Sequence, residues 1–598
     1  VTVTEALKIL QRASREQPRF ETFLACGFTP LHLQMFLNAR LQEKRTGRFV
    51  EVKTGLYGNL AAGLEALGDA GLDAGLEAAG LDAGLDGIAC AIEWPDLDPR
   101  FSYREAGSWK PAAVAEMVTG TSAALGRICA AIGRLPAGVR VAVSLPTLPF
   151  PPLFHTSGWQ ASQEELAIDR SVADFAANLL ERRGTVVVNA RRLGEMSPPG
   201  ERLDLKSDLA TGLPYSLTHA DTLARMFAEL LVPSAPKKGI ITDLDDTLWH
   251  GIAGEAGPDG VSWDLASHQQ AHGLYQKLLA SLAEAGILIA IASKNDPAVV
   301  EKALRRTDLL LNPNRIFPLE VHWDAKSGSV ERILRAWNIS ADSVIFVDDS
   351  PMELAEAKAA HPDLTCLQFP VNQPRGVVDF LRTLRDLCGK EALSEDDAIR
   401  LDSIRRGAAF QRESAAVATP EDFLRAADAT IHVEFDTGSN IASSDARVLE
   451  LVNKTNQFNI NGARYTEIEW RKKLARPGAL LLVVSYSDKF GPLGKIGVIQ
   501  GCLDRNVLII DTWVMSCRAF ARRIEYRCLR LLFERYAVEQ IEVQFAPTAK
   551  NGPARDFLAA LCGVKPQGAV RLTGAQLKEK CPPLYHHIVE MERVETNG

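Results

Sequence analysis

The sequence predicts a multidomain α/β protein. Three observations carry that prediction: its length, the alternation of short apolar runs with helical patterns, and a proline-marked break before Lys237. The chain has 598 residues, which at about 100–200 residues per domain means about three or four domains, each with its own core. Hydrophobic residues make up 46% and charged residues 24%. That is the balance of a packed, water-soluble protein and excludes disordered and collagen-like classes.

The elements follow in order. Strand-like stretches at Phe49–Thr54, Gly87–Glu93, Val139–Ser144 and Thr185–Asn189 alternate with helical patterns at Ala112–Ile132 and Ser162–Arg182. This spacing predicts parallel strands joined by crossover helices over residues 1–235. Between Ala61 and Gly87 the chain repeats Gly-Leu-Asp/Glu-Ala units too short for a solenoid, and they read as a surface insertion. Pro233 and Pro236 mark a boundary, after which Gly239–Thr242 reads as a buried strand opening a second α/β unit over 236–389. A charged helical connector spans 390–429, with Arg400, Arg405 and Arg406 in it. The last unit, 430–598, carries strands at Leu480–Tyr486, Ile496–Cys502, Val507–Trp513 and Gln540–Phe545, with a helix over Arg518–Ala537.

Charge narrows the function. With 67 Lys+Arg against 75 Asp+Glu the net charge is −8, which supplies no field for nucleic acid phosphates or anionic lipid. The longest apolar runs, Ile287–Ala292 and Ala479–Val484, fall far short of the ~20 residues of a membrane helix. Val1–Phe20 mixes Glu5, Lys8 and Arg12 into a helical pattern with no apolar core of the kind a secretion signal needs, so a cytoplasmic location is expected. The ten cysteines form no C-x-x-C pair, which argues for reduced, mostly buried thiols.

The chemistry begins at Asp243-Leu244-Asp245-Asp246-Thr247, directly after the strand at Gly239. Ligands bind at the carboxyl edge of parallel α/β sheets, where both carboxylates can enter one pocket. The first can attack phosphorus or hold a metal, and the second can pass a proton to the leaving oxygen. Ser293 ends the strand Ile287–Ala292, Lys326 follows 33 positions later, and Asp348-Asp349 ends Val344–Val347. A hydroxyl, a fixed cation and acidic metal ligands are the remaining parts of a phosphoryl-transfer site. The set resembles the four motifs of the haloacid dehalogenase superfamily. That resemblance implies a Rossmann-like HAD domain, Mg²⁺ held by Asp243, Asp245, Asp348 and Asp349, and phosphate held by Thr247, Ser293 and Lys326. The short stretch between Ser293 and Lys326 and the Gly-rich segment Gly251–Gly260 leave no room for a large cap, so an open pocket is expected.

Asp243–Trp249, Gly254-Glu255, Ser293-Lys294-Asn295 and Phe346–Pro351 are similar to the FkbH-like subfamily. The similarity extends to Asn453–Asn459, Asp511–Arg518 and Pro547–Asn551, which resemble that family's acetyltransferase-like (GNAT-like) C-terminal half. Gly27–Leu33 and Glu93–Pro99 resemble the N-terminal part of its longer members, and an SGNH-like α/β domain is expected there. The resemblance implies a glyceryltransferase/phosphatase of polyketide-type biosynthesis. Such an enzyme takes the glyceryl group of 1,3-bisphosphoglycerate, removes the remaining phosphate and loads the phosphopantetheine thiol of an acyl carrier protein. His250 and Asp246 stand where many relatives have Gly and Asn. Two alternatives stay open: a phosphatase for another phosphorylated or carrier-bound intermediate, and a docking protein without activity, against which the intact motif set speaks.

For acyl handling, Cys517 precedes the expected helix at Arg518, a setting that favours thiolate. It reads either as the acyl acceptor or as an inert loop thiol. The stretch Arg518–Arg523 lacks the glycines with which acetyltransferase-like folds approach a pyrophosphate, which disfavours free acetyl-CoA. Arg518, Arg522 and Arg523 can meet an acidic carrier, or simply coat an amphipathic helix. Asn456, Gln457, Thr548, Lys550 and Asn551 suit a small hydroxylated acyl group, or cap turns. In the first domain Ser144, His219 and Asp221 show no G-x-S-x-G or triad spacing, so a scaffold or docking role is expected.

Overall fold

The computed structural model describes residues 1–598 apart from 56–57, 70–84, 106–108, 137, 372, 392, 394, 417–419, 438–445, 456, 517–518 and 592–598. The Gly-Leu-Asp repeat lies almost wholly outside the described residues. The molecule is a mixed α/β protein in two compact units, Val1–Ser234 with Thr466–Ile468, and Ala235–Tyr465 with Glu469–Gly598. No described helix is long and apolar enough to cross a membrane.

The first unit is built on β1 (Arg19–Cys26), β2 (Phe49–Thr54), β3 (Gly87–Ala91), β4 (Arg140–Ser144) and β5 (Thr185–Val187), all parallel in the order β2-β1-β3-β4-β5. One face buries Phe23, Ile88 and Val141 under the helices Pro111–Arg134 and Gln163–Glu181. The other buries Leu24, Ala89 and Ala142 under Leu31–Lys44 and Leu217–Leu231. β1 corrects the expected helical stretch Val1–Phe20: the helix is Val3–Arg12, and Phe20 already belongs to β1. The reason is burial on both faces, which removes the alternation that marks a half-buried strand. The buried Glu21 hides the strand further, with Lys53 Nζ at 3.7 Å.

In the second unit, β6 (Gly239–Thr242), β7 (Leu288–Ser293), β8 (Ile316–Val321), β9 (Val344–Asp348) and β10 (Thr365–Gln368) form a parallel sheet in the order β10-β9-β6-β7-β8. β6 is central, fully buried, and begins and ends within four residues. A third sheet is mixed. It contains β11 (Thr430–Thr437), β12 (Phe458–Asn459), β13 (Ala479–Asp488), β14 (Gly491–Asp504), β15 (Val507–Met515), β16 (Gln540–Val543), β17 (Val570–Thr573) and β18 (His587–Glu590). Its order is β17-β16-β15-β14-β13-β11-β18, with β12 on β15; β15–β16 and β11–β18 are parallel and the other pairs antiparallel.

The charged connector carries the helix Glu395–Ala416, which packs against the layers of both sheets. Ile404 joins the core of the parallel sheet, Arg400 donates to Gly286 O at 2.6 Å, and Phe410 packs on Phe423 near Phe490. The helix expected over Arg518–Ala537 is Ile524–Tyr536. Ala521 and Arg523 take φ of 64° and 59°, left-handed values that stop a helix from starting earlier.

Candidate active site

Asp243 leaves β6 with its N–H donated to Val347 O at 3.0 Å, which locks the start of the loop to β9. The chain then turns tightly, with Leu248 N donating to Leu244 O at 2.8 Å and Asp246 at φ 50°. The turn brings Asp243 to the carboxyl edge shared by β6, β7 and β9. Ser293 stands at the end of β7, on the same edge. Burial pushes the Asp243 carboxyl up, against the pull of Lys326 and Ser293.

Lys326 opens the helix Lys326–Trp337 and is 3% exposed. Its Nζ lies 3.0 Å from Asp243 Oδ1 and 2.7 Å from Asp348 Oδ2, and it also pairs with Glu353. A cation at a helix N-terminus opposes the macrodipole, so the surrounding carboxylates must hold it there. They raise its pKa despite burial. Glu353 is also 3.0 Å from Lys294 and stays below the usual carboxylate range.

Asp243, Asp348 and Asp349 each offer an oxygen within 4.8 Å of the others. Burial first, and then Asp243, push Asp348 up to about 7. Asp349 rises for the same two reasons. Three clustered carboxylates against one shared lysine leave negative charge uncompensated, and an all-oxygen donor set is what a hard divalent cation such as Mg²⁺ takes.

Asp245 is a correction to the expected metal set, because its carboxylate stands outside this cluster. Oδ1 accepts from Trp249 Nε1 at 2.9 Å and Ala253 N at 3.1 Å, and Oδ2 accepts from Asn295 Nδ2 at 2.8 Å. Neutral donors fix it in place while burial raises its pKa, the condition of a carboxyl able to give a proton. Thr247 is wholly buried and donates to Asp349 Oδ1 at 3.5 Å, which ties the loop to the acidic cluster. The Gly251–Gly260 segment is no loose flap. It forms the helical turn Ala253–Ala256 and caps Asp245 through Ala253 N.

Glu353 was not singled out from the sequence, and Asn295 entered only as part of the Ser293-Lys294-Asn295 motif, without a role of its own. Glu353 had a signal in the Ser350-x-x-Glu353 spacing of a helix N-terminus, where it was free to be read as a capping residue only.

The residues expected to handle an acyl group separate into groups. Asn456, Cys517 and Arg518 lie outside the described residues, and the helix that was to begin beside Cys517 starts at Ile524. Gln457 and Lys550 line one cavity of about 310 Å³ together with Thr455, Met515 and Ser516. Asn551 is corrected from ligand to structure. It is 1% exposed, and Nδ2 donates to Asn459 O at 3.0 Å and Ala546 O at 2.9 Å while Oδ1 accepts from Thr548 N at 2.8 Å. Thr548 is corrected likewise: its hydroxyl accepts from Asn551 N at 3.2 Å. Arg522 cannot face a carrier, being 3% exposed, stacked over Phe410 at 3.8 Å and paired with Asp488 at 3.4 Å. Arg523 is tied to Glu421 and donates to Pro583 O at 3.1 Å.

In the first unit, Ser144 Oγ donates to Leu145 O at 3.0 Å, and Asp221 pairs with Arg40 at 2.8 Å. His219 sits between Thr147 Oγ1 and Ser197 Oγ, each at 2.9 Å. These three residues form no nucleophile–base relay.

No protein-family model matches the chain, and no curated protein does. Among solved structures, the chain is similar to the N-terminal part of the protein BF1531 from Bacteroides fragilis, which contains a phosphatase domain complexed with Mg. Identity is 17%, the match covers 64% of this chain and 98% of that one, and the TM-score is 0.50. That likeness shows a shared fold. A second match, to an IAA acetyltransferase from Bacillus cereus, has 15% identity, covers 22% of this chain and 75% of that one, and has a TM-score of 0.16.

Proposed function

We propose that this chain is a Mg²⁺-dependent phosphatase joined to an acyltransferase module, which loads a glyceryl group from 1,3-bisphosphoglycerate onto the phosphopantetheine thiol of an acyl carrier protein. The observation that carries the phosphatase half is the convergence of Asp243, Lys326, Asp348 and Asp349 at one sheet edge. The phosphatase domain with Mg in the Bacteroides fragilis protein supports it through a common fold.

In this reading an Asp243 oxygen attacks phosphorus, the phosphorus–oxygen bond to the leaving group breaks, and Asp245 gives that oxygen its proton. Asp245, now ionised, takes a proton from the water that releases inorganic phosphate from Asp243. Lys326 and Ser293 neutralise and orient the phosphoryl oxygens, and Asn295 and Ala253 N keep Asp245 aimed. Asp243, Asp348 and Asp349 would hold the cation, which supplies charge neutralisation on the phosphoryl group. The glyceryl and carrier parts rest on the sequence resemblance and on the place of Gln457 and Lys550 in a common cavity.

Incubation with 1,3-bisphosphoglycerate and holo-carrier tests the whole reading: the carrier mass rises by one glyceryl group and phosphate is released. If phosphate is released from other phosphorylated metabolites and the carrier stays unmodified, the glyceryl reading fails and the phosphatase half survives. Intact-protein mass spectrometry of Cys517→Ala decides whether that thiol carries the acyl group.

A further inference from the structure

Three exposed apolar side chains stand on the loops around the Asp243 centre: Ile252 is 44% exposed, Trp323 72% and Met352 74%. Single exposed apolar residues are ordinary on a protein surface. These three are not scattered, because they occupy the loops after β6, β8 and β9 at one sheet edge, each close in the chain to a residue that belongs to the centre. Ile252 precedes Ala253, whose N–H donates to Asp245 Oδ1 at 3.1 Å, so its Cα is within about 5.5 Å of that oxygen. Met352 precedes Glu353, a partner of Lys326. Trp323 lies three residues before Lys326 itself.

The loop that carries Trp323 is pinned on both sides of it. His322 N donates to Ser293 O at 3.2 Å, Asp324 N donates to His322 Nδ1 at 3.1 Å, and His322 Nε2 meets Ser329 Oγ at 3.0 Å. The backbone is fixed while the indole is left in solvent. Trp249, Trp263, Trp337, Trp470 and Trp513 in the same unit are at most 3% exposed, so exposure is particular to this position. Among the described residues, none of the three side chains has a ring or hydrogen-bond partner or joins a hydrophobic cluster.

The charges beside them are already matched. Lys294 Nζ is 3.0 Å from Glu353, Lys326 is shared by Asp243, Asp348 and Glu353, and His250 Nδ1 is 3.3 Å from Asp246. His322 stands between Glu320 and Asp324, at 3.4 and 3.5 Å. A substrate with a second anion beyond its phosphoryl group would have to displace one of these carboxylates. A substrate with apolar surface there would cover three side chains that nothing else covers, which is favourable without any rearrangement.

We propose that Ile252, Trp323 and Met352 form a leaving-group subsite, and that the substrate dephosphorylated at Asp243 is a phosphoester of an uncharged alcohol with an apolar body a few atoms beyond its ester oxygen. This rests on phosphoryl transfer at Asp243 and does not need the glyceryl part of the function proposed above. In the step itself the bond from Asp243 to phosphorus forms, the bond from phosphorus to the ester oxygen breaks, and the alcohol leaves with the proton of Asp245. The subsite touches only the alcohol, so it decides which ester is held.

Phosphate release by the full chain with Mg²⁺ is to be compared for n-hexyl phosphate, glycerol 3-phosphate and 3-phosphoglycerate. kcat/KM is expected to be ~10-fold or more higher for n-hexyl phosphate than for glycerol 3-phosphate, and lowest for the anionic 3-phosphoglycerate. Trp323→Ala should reduce the hexyl-to-glycerol ratio ~10-fold, chiefly through KM for n-hexyl phosphate, and Met352→Ser should reduce it in the same direction. Calorimetry with n-hexylphosphonate and methylphosphonate, which are not hydrolysed, reads the same preference without turnover. If no ester is turned over but n-hexylphosphonate binds more tightly than methylphosphonate and loses that advantage in Trp323→Ala, the phosphatase reading falls and the subsite stands. If esters are turned over with no hexyl preference, or with one that both variants leave intact, the subsite falls and the phosphatase reading stands. Equal affinities for the two phosphonates also overturn the subsite. Should Trp323→Ala not fold, Met352→Ser and the preference of the unaltered chain decide.

Discussion

Lys326 does the work of several residues, and replacing it isolates what it holds apart. Its ammonium is the partner of Asp243 and Asp348, both nearly without solvent. Lys326→Met removes that partner and leaves buried carboxylates uncompensated, so the cation-free protein should lose about 3–5 kcal/mol. Denaturant melts check this, and added Mg²⁺ should restore part of the loss. Asp243→Asn should abolish phosphate release outright. Asp245→Asn, which keeps the hydrogen-bonding shape but cannot give a proton, should lower release ~10²–10⁴-fold with Mg²⁺ affinity unchanged. A parallel loss of Mg²⁺ affinity would return Asp245 to the metal set. In the first unit, His219 is held neutral by burial, with its pKa lowered to about 3. The unfolded chain takes up that proton near pH 6.5 while the folded one does not, so this residue's contribution to stability falls as pH drops below 6.5. His219→Gln is therefore expected to lose less stability than the unaltered protein between pH 6.5 and 5, a difference of ~2 kcal/mol in paired urea melts.

Among the elements, β6 was the plainest in the sequence and β1 the least. Both are buried on two faces. β6 stands out because a polar Asp-Leu-Asp turn ends it abruptly, whereas β1 carries Glu21 and Thr22 inside and lacks such a border. The Asp243, Ser293, Lys326 and Asp348 positions were legible for the same reason: each is a polar residue at the end of a strand, directly after one, or at the start of a helix. The break ahead of Ile524 was not legible, since Ala521 and Arg523 adopt left-handed backbone with no glycine to advertise it, and Arg522 between them is drawn inward onto Phe410. Gly239, at the head of β6, is there for space. A Cβ would lie 2.4 Å from Trp337 Cζ3, whose ring is fixed by its Nε1 donating to Phe317 O at 2.6 Å. Gly239→Ala should cost ~1–3 kcal/mol through overpacking, measured as a fall in the denaturation midpoint with the slope unchanged.

At the level of the whole molecule, the connector ties two layers together. Arg400 and Arg405 donate to carbonyls of the parallel-sheet layer, and Arg406 reaches Pro492 O at 3.3 Å in the mixed-sheet layer. Limited proteolysis of the native protein should therefore spare Glu395–Ala416. Ile404→Asp, which forces a charge into the core it shares with Trp337 and Leu288, should expose it to cleavage. Early cleavage in the unaltered chain would show that the helix is undocked in solution. The position of β6 between β9 and β7 has a further consequence, in the language of hydrogen exchange. Its amides are covered on both sides and should be among the last in the unit to exchange, opening only when the unit unfolds globally. Asp243 hangs from that slowest strand, while the turn over Asp245 rests on one short helix and should exchange early. The place of the Asp243 carboxylate is thus set by the stability of the entire layer, whereas that of Asp245 depends on the local turn that holds it.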